Sequence, residues 1–318
     1  MVEIAMTLNG RASRVADDLA GRADELGCCV DTVAGARIID AGVDRIGSIS
    51  AGLLTARICM ADLATVSVVP CRVGDVALPQ VVVNVDQPVA ACMAAQYAGW
   101  RISVDKYFAM GSGPMRAAHG KEALFDDIGL CERVDSAVGV LETGELPNEP
   151  VVRYIAESCG VAASKLTLIV ARTASLVGGA QVVARSVETA MHKLHELEFD
   201  LHRVVAGFGT APLPPVAADD MAAIGRTNDA VLYGAQCTLY VRGDDDSLRA
   251  MIGKLPSTAS KDYGQPFAEI FKRYDYDFYK IDPMLFSPAA VVLQNIDSGE
   301  THTAGRVNQD VLSCSYFG

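Results

Sequence analysis

Four groups of residues in this chain combine types and spacings that could do chemistry. The first is the run Phe108-Ala109-Met110-Gly111-Ser112-Gly113-Pro114-Met115-Arg116-Ala117. Gly111, Ser112 and Gly113 allow a ligand to come close to the backbone and expose N–H groups. Pro114 is placed to open a helix, and Arg116 in its first turn could hold an anion. A plain strand-to-helix turn accounts for the same glycines. The second group is Gly225-Arg226-Thr227-Asn228-Asp229-Ala230. Its guanidinium, hydroxyl, amide and carboxylate offer the donors and acceptors that a flat heterocyclic edge needs. A capped turn with an internal Arg–Asp pair is the structural alternative.

The third group lies on a long helix expected from about Ala180 to Phe199. On a 100° wheel Val183, Val187, Ala190, Met191, Leu194 and Leu197 share one face, while Arg185, Glu188, His192, His195 and Glu196 lie opposite. Arg185 and Glu188 stand at i and i+3, so their side chains can meet. On a solvated face that pair is worth a few tenths of a kcal/mol. In a cleft, a Glu beside an Arg is a tunable base, because burial disfavours its charged form and the guanidinium favours it. The fourth group is His192, His195 and His202, with Glu196 nearby. His192 and His195 could face one ion in a metal-dependent hydrolase, but the spacing is not H-E-x-x-H, and histidines on a polar helical face are commonly solvated. No G-x-x-x-x-G-K-[ST] occurs, nor a G-x-G-x-x-G between strand and helix. Phosphate-loop and dinucleotide readings therefore lose their main support.

Alternating helices and strands must position these groups. Asn9 to Leu26 reads as an amphipathic helix, Arg37 to Asp40 as a strand, and Ser50 to Ala64 as a helix. Thr65 to Val69 is a strand closed by Pro70, Val81 to Val85 a strand buried on both faces, and Pro88 to Tyr97 a helix. A helix over Val151 to Ser158 and a buried strand over Leu166 to Ala171 precede the long helix. Beyond the Pro-rich turn at Ala211 to Pro215, the pattern gives a helix start at Asp219 to Ile224 and strand character over Val231 to Val241. Asp244 to Asp246 reads as a solvated turn. Ala289 to Asn295 and Thr301 to Val307 form a closing hairpin around Asp297-Ser298-Gly299.

At 318 residues the chain fits two domains better than one or three. Hydrophobic residues make up 50% and charged residues 21%, with a mean hydropathy of +0.23, as in a core-rich globular protein. Some of the apolar excess could cover a subunit interface. A net charge of −12 and no basic run interleaved with aromatics argue against nucleic acid as a partner. The first residues lack the charged and apolar regions of a secretory signal, and Leu166 to Val183 is interrupted by Arg172. A soluble, cytoplasmic protein with no membrane association is the expectation. The nine cysteines include no Cys-x-x-Cys and read as buried small hydrophobes.

Taken together, these segments resemble the methenyltetrahydromethanopterin cyclohydrolase family of methanogenic archaea and methylotrophic bacteria. The likeness rests on Gln96-Tyr97-Ala98-Gly99-Trp100, on Ala109 to Ala117, on Gly209-Thr210-Ala211-Pro212 with Pro214-Pro215, and on Gly225 to Ala230 followed by Tyr233-Gly234. It extends from the first helix to the last hairpin. The resemblance implies an α/β subunit of two domains, which could be discontinuous in sequence, with the active site in the interdomain cleft. It implies a homotrimer, a pterin substrate, and neither a metal nor an organic cofactor. It also implies an active-site Arg-x-x-Glu pair, which Arg185-Ser186-Val187-Glu188 fits, with Glu188 as general base and Arg185 as its tuner. Gly111, Ser112, Gly113, Arg116, Arg226, Thr227, Asn228 and Asp229 are the candidates for pterin or tail contacts.

Overall fold

A computed structural model describes residues 6–318, which form two compact units. Unit 1 runs through Ala64 and resumes over Ala90–Gln181, and unit 2 comprises Thr65–Val89 and Val182–Gly318. The described strands are, in chain order, β1 (Cys29–Val33), β2 (Ala36–Gly42), β3 (Ala64–Val73), β4 (Val76–Val85), β5 (Trp100–Val104) and β6 (Tyr107–Ser112). They continue with β7 (Ala137–Glu142), β8 (Leu166–Ala171), β9 (Val204–Pro212), β10 (Gln236–Val241), β11 (Ala290–Asn295) and β12 (Thr301–Gly305). Together with the helices between them they make a mixed α/β protein.

The sheet of unit 1 has the order β1-β2-β8-β7-β6-β5. Its centre is parallel, β8 lying between β2 and β7. Every residue of β8 is buried, Thr167 included, and its otherwise apolar sequence suits a strand covered on both faces. Ile39, Val138, Val140 and Ile169 pack against Leu54 and Ile58 of the helix Ile49–Cys59 on one face. Ile38, Leu141, Leu168 and Val170 pack against Val151, Val152 and Ile155 of the helix Glu149–Ser158 on the other. Both helices begin where a side chain accepts an otherwise unpaired N–H: Ser48 from Ala51 and Asn148 from Val151.

The sheet of unit 2 has the order β12-β11-β10-β9-β4-β3; β9 pairs antiparallel with β10 and β4, β11 antiparallel with β12, and β10 parallel with β11. The closing hairpin forms where expected, between β11 and β12. Pro70 does not end a strand: β3 runs on through it to Val73. As the outermost strand, β3 accommodates a residue that has no N–H to give.

Three further differences from the sequence pattern arise from packing. The segment expected as a helix over Pro88 to Tyr97 is π-helical over Val89–Gln96, and a second π-helical stretch, Ala230–Gly234, takes the start of the expected Val231 strand. The long helix is two helices, Leu176–Val183 and Ser186–Glu196. The chain passes from unit 1 to unit 2 at Gln181 and Val182, so a single wheel over the whole span averages two separate burial environments. The Asp244 to Asp246 turn is instead the capped start of the helix Asp245–Ile252, Asp244 accepting from Ser247 N–H.

Candidate active site

The helix Ser186–Glu196 carries Glu188 in its first turn, directly after Arg185 at the N-cap. Both side chains are buried, Glu188 at 4% exposure and Arg185 at 8%, and Arg185 Nη1 stands 4.0 Å from Glu188 Oε2. The solvated alternative for this pair is therefore replaced by an enclosed one. A carboxylate in the first helical turn also gains from the unpaired N–H groups there. Thr189 holds the cap, its N–H and its hydroxyl both donating to Arg185 O, at 2.8 and 2.9 Å.

Two glycines of β9 bring this turn close to the sheet. A Cβ on Gly209 would lie 2.3 Å from Ser186 Oγ and 3.0 Å from Val187 Cγ2, and one on Gly207 would lie 2.6 Å from Val187 Cγ1. Only a strand bare at these two positions lets Ser186 and Val187 seat as they do. Farther along the helix Lys193 is fully buried and donates to Met284 O, and burial pushes its amine down to about 8. Sequence periodicity gave no sign of this lysine, because a single cation at a core position breaks the apolar pattern without marking a new one.

The glycine loop forms the end of β6 and the short helix Met115–His119, with Pro114 at its start as expected. Gly113 has φ +88°, in the region that favours glycine, and its N–H donates to Ala95 O. Ser112 is buried. Arg116 is fully buried and points inward: its guanidinium meets Glu122 at 2.6 and 2.8 Å, donates to Met93 O at 2.9 Å, and lies over the Tyr97 ring. It thus satisfies a carbonyl of the π-helical Val89–Gln96 segment.

The Gly225 to Ala230 cluster lies in the helix Asp220–Asp229 and not in a turn. Arg226 donates to Pro215 O, Thr227 to Ala223 O and Asn228 to Ile224 O. Asp229 is completely buried, accepts the Phe267 N–H at 2.7 Å, and burial pushes its carboxyl up to about 7.

His192 faces Glu196 at 3.6 Å. Among the described residues the three potential metal ligands brought within 4.8 Å of one another are Asp245, Glu300 and His302, a set that includes neither His192 nor His195. Asp245 Oδ1 already accepts from Asn295 and Ser298, which ties the β11–β12 hairpin to the helix Asp245–Ile252. No described helix is long and apolar enough to cross a membrane.

The fold is of the α/β class, built on two six-stranded sheets, and it holds a buried, arginine-backed carboxylate at the start of a helix. The family model described as "Cyclohydrolase (MCH)" matches residues 7–316. A methenyltetrahydromethanopterin cyclohydrolase of Rhodopirellula baltica is 52% identical over 290 residues, covering 90% of this chain and 87% of the relative. One of Methanocaldococcus jannaschii is 43% identical over 316 residues, 98% of each chain, and one of Methylobacillus flagellatus is 44% identical over 282 residues, covering 89% and 86%. The chain belongs to this cyclohydrolase family.

Proposed function

We propose that the protein is a methenyltetrahydromethanopterin cyclohydrolase, adding water to the N5,N10-methenyl bridge of the pterin to give the N5-formyl product, reversibly. The names of relatives at 43–52% identity support the reaction, and the buried Arg185–Glu188 pair carries the mechanism. The methenyl bridge is an amidinium-like cation whose carbon is already electrophilic. The protein therefore has to place one water and move protons, with no covalent intermediate.

Glu188 orients a water and takes one of its protons as the oxygen bonds to the methenyl carbon. The resulting carbinolamine collapses: the hydroxyl proton leaves, the C–O bond becomes C=O, the C–N10 bond breaks and N10 gains a proton. One proton per turnover is released to solvent. Arg185 holds Glu188 in place, and a carboxylate excluded from water stabilises the cationic substrate and its charge-dispersed transition state. The Gly111 to Gly113 backbone and the Arg226 to Asn228 segment remain the proposed pterin or tail contacts. Arg116 and Asp229, enclosed as they are, serve as supports behind them.

Loss of the methenyl absorbance tests this, run with methenyl-tetrahydromethanopterin and methenyl-tetrahydrofolate side by side. Catalytic turnover of the first with strong preference over the second is expected. A rate at the uncatalysed level would refute the proposal. Exhaustive chelation with elemental analysis is expected to leave kcat unchanged, whereas loss of activity restored by a metal would favour a metal-dependent hydrolase.

A further inference from the structure

The carboxyl edge of the unit 1 sheet holds a second polar constellation, on different elements from Glu188. The chain leaves β7 at Glu142 for the helix Glu149–Ser158, which packs on the sheet face carrying Leu141 and Leu168. It leaves the adjacent parallel strand β8 for the helix Leu176–Val183, whose Val177 packs on the opposite face with Val140 and Ile169. Neighbouring parallel strands whose following helices cover opposite faces leave a crevice at their carboxyl ends, and open α/β sheets bind ligands there.

Glu142 stands at that point, half-buried. Thr173 donates its hydroxyl to Glu142 Oε1 at 2.6 Å, and the Gln181 amide donates to Oε2 at 3.4 Å. Thr173 and Gln181 are buried, at 6% and 2% exposure. The turn that carries Thr173 is stiff, since Ser175 Oγ donates to Arg172 O and accepts from Gly178 N–H. A Cβ on Gly178 would lie 2.0 Å from Arg172 O, so helix and turn are packed as closely as glycine allows. One donor on each oxygen fixes the carboxylate plane and uses half of its acceptor capacity. What such a group binds best is a planar edge with two adjacent N–H donors, which it meets with two parallel charge-assisted bonds.

We propose that Glu142, oriented by Thr173 and Gln181, is a specificity-determining residue that binds the N3–H and 2-amino edge of the pterin. The inference rests on the reading of the substrate as a pterin. Binding at this edge is distant in bonding from the methenyl carbon, so it acts equally on ground and transition states and is read in KM.

Steady-state kinetics of the full chain with methenyl-tetrahydromethanopterin and its 2-deamino analogue test it, with thermal melts as fold controls. Glu142→Gln is expected to raise KM about 10–100-fold with kcat within about threefold, the size expected for charged hydrogen bonds. The deamino analogue should cost the wild type a comparable factor and the variant less than about threefold. Thr173→Val, which leaves the carboxylate in place but loosens it, should raise KM about three- to tenfold and carries the test if Glu142→Gln does not melt cooperatively. An unchanged KM in the folded variants, or equal analogue penalties in both proteins, overturns the inference. Should the wild type not turn over the methenyl substrate, the functional reading fails by itself. Fluorescence titration of 6-methylpterin then decides on Glu142 alone, weaker binding to Glu142→Gln supporting the role and equal binding overturning it.

Discussion

At the scale of single residues, burial decides which charges do what. Arg185 and Glu188 sit three apart, a spacing equally suited to a surface ion pair, and only their 8% and 4% exposure separates the two readings. The sequence grouped them with His192, His195 and Glu196 on one polar face, yet Glu196 is exposed and both histidines are half-exposed. Arg185→Lys keeps the charge but loses the planar fork, and is expected to lower kcat about tenfold with little change in melting temperature. An equal fall in stability would mean that Arg185 serves the fold and not Glu188. Asp229 shows the opposite cost of burial. Its carboxyl titrates near 7 in the folded state against 3.8 in the open chain, so between those values the folded protein binds the extra proton. Stability from this group therefore falls as pH rises from about 4 to about 7 and is lowest above that, by about 4 kcal/mol at most. Asp229→Asn removes the titration. Urea unfolding at pH 5 and pH 8 should show the variant gaining on the wild type at the higher pH; parallel behaviour would contradict the burial argument.

At the scale of elements, glycines and irregular helices set the positions. Strand and helix periodicity located most elements, including β8 to the residue and the last hairpin to within two. It missed the π-helical segments, because their pitch follows from how freed carbonyls are satisfied: Met93 O by Arg116, a residue 23 positions later in the chain. It offered a capped turn as the structural alternative for Gly225 to Ala230, since Thr, Asn and Asp favour turns; the helix that starts at the Asp219 cap instead runs on through Asp229. Gly207 and Gly209 make room for the first turn of the Glu188 helix. Gly209→Ala should push that turn outward and cut kcat about tenfold or more, at a stability cost of about 1–3 kcal/mol. Unaltered kcat would mean that the turn does not depend on the strand. Arg116→Met should cost about 3 kcal/mol, because Glu122 keeps its charge without a partner. Chemical denaturation measures it, and a loss below about 1 kcal/mol would assign the pair a surface-like role.

At the scale of the whole molecule, the chain enters unit 2 for β3 and β4, returns to unit 1, and enters unit 2 again at Val182. Length and composition suggested two domains without locating this exchange, because no linker-like composition marks Ala64, Val89 or Gln181. One consequence is testable: residues 182–318 alone lack β4, the partner of β9 over Gln80 to Val85, and should give no cooperative melt. The acidic composition bounded the partners, while the activity was legible only through the long motifs shared with a family, since none of the group-specific phosphate or metal signatures is present. In the proposed reaction one buried carboxylate, that of Glu188, performs the proton transfers of water addition. Single-turnover and steady-state rates of methenyl loss in Glu188→Gln measure it most directly. A fall in kcat of at least about 10² with KM within a few-fold is expected of a lost general base, and a kcat near that of the wild type would contradict it.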